Sequence, residues 1–505
     1  MIGVLSLYIK YNVLSRASPF SLLHVQKRYK KKKTPKVTNT MRALDYFDIA
    51  YPPVYGMRWP SIRLALLSKP KYISVVNNFA NHEEVVKAWL DLGALDLGPR
   101  IASSVEKISN SIMRRLDDTP DVQNEDSAAI GLPGTIRPSF RELTDDEIVA
   151  RITEEDIRRY PEEYKKRALA KMEYIGEADV DLTNRVLLPS QIGPDGSLMM
   201  DHVPSDKLKG LENWIEETDA FLDINQGDED MGLKIERQEQ LLQLPPNLKV
   251  FSFLKGDISD FPHPKADRTL SSYDHYPLDG GSLLPVLALD IKPGDHMLDL
   301  CAAPGGKSLI ALQTLMLGRL VCNDVSVNRQ KRLINILNQY IPECFASVNN
   351  TVEVRVDDGC ELQEEEMYDK VLVDVPCLTD RHSLKEDDNN IFAVKRVKER
   401  LRLPEVQAQL LLSAIKAVRP GGTVVYSTCT LSPLQNDGVV RLAFNRIWQE
   451  TKIDCVVIDL SDAVQPLSFL YRFGSKLGLR YGQIVLPSLL NNFGPMYIAK
   501  IKRLR

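Results

Sequence analysis

A doubly wound α/β domain is the fold class that the sequence predicts for residues 245–505. In this part of the 505-residue chain, short apolar runs alternate with stretches of helical periodicity, the pattern of a parallel sheet with crossover helices. A glycine pair follows the first apolar run, in LDLCAAPGGKS, and such a turn lets a ligand approach the backbone closely. The strand candidates are HMLDLCA from 296, RLVCNDVS from 319, VEVRVDD from 352, YDKVLVDVPC from 368, GTVVYSTCTL from 422 and CVVIDL from 455. Helices are predicted between them, for example at SVNRQKRLINILNQYI and LPEVQAQLLLSAIKAV.

Residues 1–40 have the composition of a mitochondrial transit peptide. The first 44 residues contain ten Lys or Arg and no Asp or Glu, with Lys10 and Arg16 interrupting the apolar residues. A secretory signal needs an uninterrupted apolar core, and a membrane span needs about 20 apolar residues in a row, so neither is expected. The run KRYKKKKTPK is equally suited to a nuclear address or a nucleic-acid-binding arm, which leaves a nuclear location as the alternative.

The region between the leader and the α/β domain divides into two parts by composition. Residues 41–104 mix helical periodicity with aromatic residues, which predicts an ordered N-terminal helical region. Residues 105–244 are charged, and residues 141–240 alone contain 13 Lys or Arg against 26 Asp or Glu. We expect an acidic insert of solvated helices and flexible linker here, with a docking surface for a partner as the alternative. The amphipathic segment 136–175, broken at Pro161, is its most helical stretch.

All seven cysteines lie at or after residue 301, and no two of them are in C-x-x-C spacing. We therefore expect neither a zinc site nor a disulfide framework, and we predict no bound metal ion. Cys301, Cys322 and Cys455 lie inside apolar runs and are interpreted as small buried apolar groups. Cys377 and Cys429 differ from these three, because each follows the end of a predicted strand.

The glycine turn predicts a cofactor site at the end of the first strand. Ligands of doubly wound sheets bind at the carboxyl ends of the strands. Gly305 and Gly306 allow close approach, the next helix presents its N-terminal amides, and Asp324 ends the second strand, where a carboxylate can accept the hydroxyls of a ribose. The turn matches neither G-x-G-x-x-G nor the Walker loop. An adenosine ligand without phosphates, such as S-adenosylmethionine, therefore fits better than a dinucleotide.

DLCAAPGGK, VDVPC and YSTC, in this order and at these strand ends, resemble the Nop/Sun-domain family of RNA cytosine carbon-5 methyltransferases. Further similarity, over about residues 44–100 and 245–505, is to the family member that acts on mitochondrial small-subunit rRNA. The resemblance implies a Rossmann-like class I S-adenosylmethionine-dependent methyltransferase fold and a catalytic domain at 245–505. It also implies a cofactor site formed by Gly305, Gly306, Lys307, Asp324, Arg329, Asp358, Gly359 and Asp374.

Cytosine carbon 5 is a poor nucleophile, so methylating it requires prior addition of a nucleophile at carbon 6. A thiolate is suited to this, because it attacks readily and can later leave. Spacing does not decide which cysteine attacks. The resemblance makes Cys429 the nucleophile, with Cys377 assisting product release, and Asp374 could contact the Watson-Crick side of the base. His382 is interpreted as a loop or RNA contact, and Arg329 could instead be a solvated helix residue.

The expected substrate is an unpaired or flipped cytosine, because a stacked base cannot reach such a pocket. The formal net charge of the chain is -4, so RNA affinity must come from a local basic face or from a partner. The resemblance implies a helical-repeat partner of the mitochondrial termination-factor type, a mitochondrial ribosomal small or large subunit as the target assembly, and a location in the mitochondrial matrix. The alternatives are a tRNA methyltransferase and a non-catalytic rRNA-binding assembly factor.

Overall fold

The computed structural model describes residues 37–117, 234–266, 271–342, 351–474 and 477–505. Nearly all of the predicted transit peptide, the central part of the acidic insert and the helix predicted at 136–175 lie outside these residues. The elements below belong to a unit that runs from Asn39 to Arg505. Within the described residues, no helix is both long and apolar enough to cross a bilayer.

The N-terminal part of this unit contains strands as well as the predicted helices. Its elements are α1 (Asn39–Ala50), α2 (Pro52–Tyr55), α3 (Trp59–Leu67), β1 (Tyr72–Val76), α4 (Glu83–Asp91), β2 (Leu95–Asp96) and α5 (Leu97–Asp117). After the gap the chain continues with β3 (Ile235–Arg237), β4 (Val250–Ser252) and β5 (His275–Asp279). β2, β4, β1 and β5 form a four-stranded antiparallel sheet in that order. The expected N-terminal helical region therefore also contributes two strands, β1 and β2, to a sheet.

Two of the domain boundaries drawn from composition fall inside structural units. Helix α5 runs through residue 104, where the N-terminal region was expected to end. β3 precedes residue 245 yet pairs in parallel with a strand of the α/β part, at Val457. The change in composition therefore does not coincide with the ends of the structural elements.

The α/β part contains the remaining elements. They are α6 (Leu283–Leu289), β6 (His296–Asp299), α7 (Gly306–Gln313), β7 (Arg319–Asn323), α8 (Val327–Tyr340), β8 (Val352–Arg355), β9 (Tyr368–Asp374), α9 (Asp380–Lys385), α10 (Val397–Ala417), β10 (Val418–Thr428), α11 (Asp437–Glu450), β11 (Cys455–Asp459), β12 (Gln483–Val485) and β13 (Met496–Arg503). All six predicted strands are present. β12 and β13 were not predicted.

The large sheet has nine strands in the order β8-β7-β6-β9-β10-β13-β11-β3, with β12 paired to β13. β8, β7, β6, β9 and β10 are parallel, and β13 is antiparallel to both of its main neighbours. The chain moves outward from β6 to β7 and β8 and then returns to β9 on the other side of β6. This topological switch point opens a crevice at the carboxyl ends of β6 and β9, which is where ligands of doubly wound sheets bind.

The parallel strands β6, β7, β9 and β10 are largely buried on both faces, which explains their apolar sequences, whereas the residues of β8 are half-buried. In β9, Val371 and Val373 join the core on the side of α10 and α11, whereas Leu372 joins the core on the side of α6, α7 and α8. Side chains of a strand alternate between faces, so both layers of helices hold the strand in one register. The carboxyl ends of the strands are thereby fixed as a rigid edge.

Candidate active site

The turn from β6 to α7 requires glycine at one position for two reasons. Gly305 has φ +114°, and a Cβ atom there would lie 2.6 Å from Cδ1 of Leu333. Only glycine adopts this value of φ without strain. Any larger side chain would also clash with Leu333 of helix α8. Gly306 begins α7, so the turn delivers the helix N-terminus to the crevice, as the sequence predicted.

A cavity of about 200 Å³ lies at this turn, between the two sheets. One wall consists of Asp299, the turn from Cys301 to Pro304, Gly306, Lys307 and Asp374. The other consists of Tyr276 and Leu278, which lie in β5 of the small sheet, and Ser282, which comes shortly after it. Of the predicted site residues, Gly306, Lys307 and Asp374 line this cavity. The wall from the small sheet was not predicted, because it depends on long-range strand pairing.

Lys307 and Asp374 form an ion pair in the cavity wall. Nζ of Lys307 donates to Oδ2 of Asp374 at 2.7 Å, and Oγ of Ser427 donates to Oδ1 of Asp374 at 2.8 Å. Burial lowers the pKa of Lys307, but the charge and hydrogen bond of Asp374 outweigh it, so the pKa is raised and the ammonium form is favoured. The predicted base-contacting carboxylate is thus held by one cation and one hydroxyl.

Asp299 is a site residue that sequence reasoning missed. It is the last residue of β6, is 1% exposed and lines the cavity. Its Oδ2 accepts from Oγ of Ser308 at 2.6 Å, whereas its Oδ1 has no hydrogen-bond partner among the residues that the structure describes. Burial raises the pKa of Asp299 to about 7, although the bond from Ser308 opposes this. A carboxylate inside the apolar strand HMLD was the available signal in the sequence.

Asp324 directly follows β7 and Arg329 lies in the first turn of α8, and both are outside the cavity wall. Oδ1 of Asp324 accepts from the amide of Ser326 at 3.0 Å. Nη1 of Arg329 is 3.3 Å from Oδ2 of Asp324 without the alignment of a hydrogen bond. Nη2 of Arg329 donates to the carbonyl of Ala303 at 2.5 Å. Arg329 therefore connects the predicted ribose-binding carboxylate to the glycine turn and is more than a solvated helix residue.

Asp358 and Gly359 lie further along the same edge and do not line the cavity. Oδ1 of Asp358 accepts from the amide of Cys360 at 2.9 Å and caps a short 3₁₀ turn. A Cβ atom on Gly359 would be 2.9 Å from Cδ2 of Leu410 and 3.1 Å from Cδ1 of Leu300. Packing against these leucines accounts for the glycine, so its predicted cofactor contact stays a prediction.

The two candidate catalytic cysteines meet at the ends of β9 and β10. Their Sγ atoms are 3.3 Å apart, and the amide of Cys429 points at Sγ of Cys377 at 3.4 Å. Cys377 is 5% exposed, whereas Cys429 is partly exposed. The hydrogen bond with Cys377 raises the pKa of the Cys429 thiol well above its usual value, burial adds to this, and Lys307 opposes it. Cys429 is therefore a protonated thiol in the free protein.

The structure also places the three cysteines that were expected in the core, and His382. Cys301 was expected to be a buried core residue, but it lines the cavity and is partly exposed. Cys322 and Cys455 are buried, as expected. The Nε2 atom of His382 lies 3.2 Å from the carbonyl of Asp388, which agrees with a role in loop structure.

The residues at this edge of the sheet fit S-adenosylmethionine. Oδ1 of Asp299, in the cavity wall, and Oδ2 of Asp324, beyond it, accept no hydrogen bond among the described residues. The first can accept from an ammonium group and the second from a ribose hydroxyl. Gly306 lines the cavity between them, so a ligand there can approach the backbone of the turn closely. This donor and acceptor set suits a nucleoside with an amino-acid tail and offers no phosphate cradle.

Comparison with known proteins supports the same conclusion. Residues 286–501 match the family described as 16S rRNA methyltransferase RsmB/F. The chain is 36% identical over 489 residues to the 5-cytosine rRNA methyltransferase nsun-4 of Caenorhabditis elegans, with 94% of both chains covered. It is 34% identical over 499 residues to the 5-cytosine rRNA methyltransferase NSUN4 of Xenopus tropicalis, covering 97% of this chain and 98% of that one.

A mitochondrial tRNA (cytosine(34)-C(5))-methyltransferase of Danio rerio is 41% identical over 236 residues, which is 46% of this chain and 61% of that protein. The similarity to the rRNA enzymes thus spans nearly the whole chain, whereas that to the tRNA enzyme spans less than half of it. The chain belongs to the RsmB/F family of rRNA methyltransferases, which use S-adenosylmethionine and include cytosine carbon-5 enzymes.

Proposed function

We propose that this protein methylates carbon 5 of an unpaired or flipped cytosine in mitochondrial small-subunit rRNA, through a covalent bond between Cys429 and the base. The observation that carries this proposal is the meeting of two thiols, 3.3 Å apart, beside the Lys307–Asp374 ion pair. When bound, S-adenosylmethionine supplies an electrophilic methyl group. The chain's own residues then have to activate the ring and release the product.

Attack is assigned to Cys429 because it is the more exposed of the two thiols. Its sulfur adds to carbon 6, and the electron pair of the 5,6 double bond becomes available at carbon 5, which takes the methyl group. Asp374 bonds the Watson-Crick side of the base and favours protonation at ring nitrogen 3, so carbon 6 becomes more electrophilic. Since the thiol of Cys429 is protonated at rest, attack requires loss of its proton in the RNA complex.

Release requires removal of the proton on carbon 5. When a base takes that proton, its electron pair re-forms the 5,6 double bond, the bond from sulfur to carbon 6 breaks, and Cys429 leaves as a thiolate. Cys377 is the group that assists this step, because its sulfur is within hydrogen-bonding distance of the leaving sulfur. We assign this chemistry to residues 245–505, with Tyr276 and its neighbours completing the wall of the site.

The remaining cofactor contacts are proposed for the other predicted residues. Asp324 would hold the ribose, with Arg329 fixing the turn, and Asp358 and Gly359 would approach the adenine from the end of β8. Gly305 and Gly306 would let the ligand approach the backbone. Isothermal titration of Asp324→Asn with S-adenosylmethionine tests the ribose contact, and unchanged affinity would remove Asp324 from the site.

A mitochondrial matrix location is supported by the acid-free leader of residues 1–40. Because the chain has a net charge of -4, we propose that a helical-repeat protein supplies part of the RNA affinity, and that methylation supports assembly of the mitochondrial ribosome. A fluorescent protein fused to residues 1–44 tests the location. Import into mitochondria is expected, and nuclear accumulation would support the alternative use of the lysine run.

Bisulfite sequencing of mitochondrial RNA, before and after depletion of the protein, tests the reaction and the substrate together. We expect loss of one methylcytosine in small-subunit rRNA and its return with the wild-type chain. Loss in a tRNA instead would support the activity of the tRNA relative. No loss in either RNA would leave a non-catalytic assembly factor.

A further inference from the structure

The segment that follows Cys377 contains a buried carboxylate that reaches the loop of the other cysteine. Asp380 is the third residue after Cys377 and is 0% exposed. Its Oδ2 accepts from the amide of Leu431 at 2.8 Å, and Leu431 is the second residue after Cys429. One carboxylate therefore ties the loop of the first cysteine to the loop of the second.

The N-terminal helices hold the same carboxylate. The hydroxyl of Tyr51, between α1 and α2, donates to Oδ2 of Asp380 at 2.9 Å and lies 3.3 Å from Oγ1 of Thr430. The hydroxyl of Tyr55 donates to the carbonyl of Leu431 at 2.5 Å. The ring of Tyr51 stacks on Phe47 with centroids 4.9 Å apart and an angle of 8° between the planes. The contacts of Tyr51 and Tyr55 thus fix both Asp380 and the residues after Cys429.

The arrangement is costly for folding, which points to a purpose beyond cohesion of the core. Oδ1 of Asp380 is buried and has no hydrogen-bond partner among the described residues. Burying such an oxygen costs stability that an apolar side chain would not cost. A small error in the spacing of reacting groups, on the other hand, can cost about a hundredfold in rate.

We infer that Asp380, held by Tyr51, is a positioning residue that sets the separation of the Cys377 and Cys429 sulfur atoms. It touches neither sulfur and acts through the backbone of the two loops. This inference rests on the proposed function for its catalytic consequence, but its geometric consequence can be measured without any RNA. The N-terminal helices thereby become part of the catalytic apparatus.

The direct test measures the cysteine pair itself in the full-length protein. Wild type, Asp380→Ala and Tyr51→Phe are treated with a mild disulfide-forming oxidant, and formation of the Cys377–Cys429 bond is followed by peptide mass mapping. Ala removes the oxygen that accepts from Leu431 and Tyr51. Tyr368→Phe and Glu364→Ala are matched controls, because the Tyr368 hydroxyl donates to Glu364 at 2.7 Å at the opposite end of β9. We expect about tenfold slower bond formation in Asp380→Ala and a smaller change in Tyr51→Phe, with both controls like wild type.

Methylation kinetics then separate positioning from general stability. In Asp380→Ala we expect kcat to fall about tenfold or more while KM for RNA and for S-adenosylmethionine stays within about twofold. Tyr51→Phe, which keeps the carboxylate, should retain more activity than Asp380→Ala. A lower melting temperature with unchanged disulfide formation and unchanged kcat per folded molecule would overturn the inference. If wild type does not methylate RNA, the proposed function fails, while the disulfide rates still decide the positioning role.

Discussion

Replacing Asp299 by Asn is expected to stabilise the cofactor-free protein at alkaline pH and to weaken cofactor binding. The carboxyl group is buried at the end of β6, with one oxygen bonded to Ser308 and the other without a partner in the described part of the chain. Asn keeps an oxygen for the Ser308 hydroxyl and removes the buried charge. The substitution therefore separates what the charge costs in folding from what it contributes to binding.

The magnitude follows from the pKa. Its rise from 3.8 to about 7 corresponds to about 4 kcal/mol of preference for the protonated carboxyl group in the folded state. Between about pH 4 and 7 the folded chain keeps a proton that the unfolded chain has released. The free energy of unfolding therefore falls as the pH rises, with a slope of up to about 1.4 kcal/mol per pH unit, and the full cost is present above about pH 7.

Urea unfolding of the full-length protein at intervals from pH 5 to 8 measures this difference. We expect the stability of Asp299→Asn relative to wild type to increase across that range, and the affinity for S-adenosylmethionine in calorimetry to fall about tenfold or more. Asp295→Asn, just before the same strand, is the control, because Oδ2 of Asp295 accepts from the exposed Lys292 amide. Parallel stability curves for Asp299→Asn and wild type would refute the buried-charge argument, and unchanged affinity would refute the contact with the cofactor.

Four further substitutions test the site, and a fifth serves as a control. Cys429→Ala should abolish methylation and covalent capture of 5-azacytidine-substituted RNA, whereas Cys377→Ala should accumulate a covalent RNA adduct on denaturing gels, and its absence would contradict the release role. Lys307→Met, which removes the cation that bonds Asp374, should lower kcat about a hundredfold in single-turnover assays. Gly305→Ala should destabilise the fold by about 2–4 kcal/mol in urea, because it combines φ +114° with a clash against Leu333. Gly294→Ala, with φ +87° and open space around the site, should cost only about 1–2 kcal/mol.

The parallel strands could be predicted from sequence because burial on both faces requires continuous apolar runs. β13 escaped prediction because MYIAKIKR contains Lys500 and Arg503, which are only 8% and 5% exposed. Arg503 is buried by donating to the carbonyls of Ile415, Lys416 and Val418. Contacts of this kind are long-range, so a local pattern of polar and apolar residues does not contain them.

The candidate site divides in the same way. Residues that belong to one short segment, such as Gly305 and Lys307, were predicted as site residues. Their position at the carboxyl ends of the strands was predicted as well. Tyr276 and Asp380 were not predicted as site residues, because their roles arise where separate segments meet. For Asp299, the apolar pattern around it predicts the strand and conceals the carboxylate.

The protonation state of Cys429 affects when the two closely spaced thiols can react. Because a thiolate is the reactive form of cysteine, a raised pKa at Cys429 makes it unreactive towards electrophiles in the free protein. The same property slows disulfide formation with Cys377, although the two sulfur atoms are 3.3 Å apart. Such a short distance would otherwise promote oxidation of the pair. Under the proposed mechanism, activation of Cys429 only in the RNA complex would protect the two thiols between turnovers. Lys307, whose charge opposes the rise in the pKa of Cys429, is the nearby group that favours the thiolate.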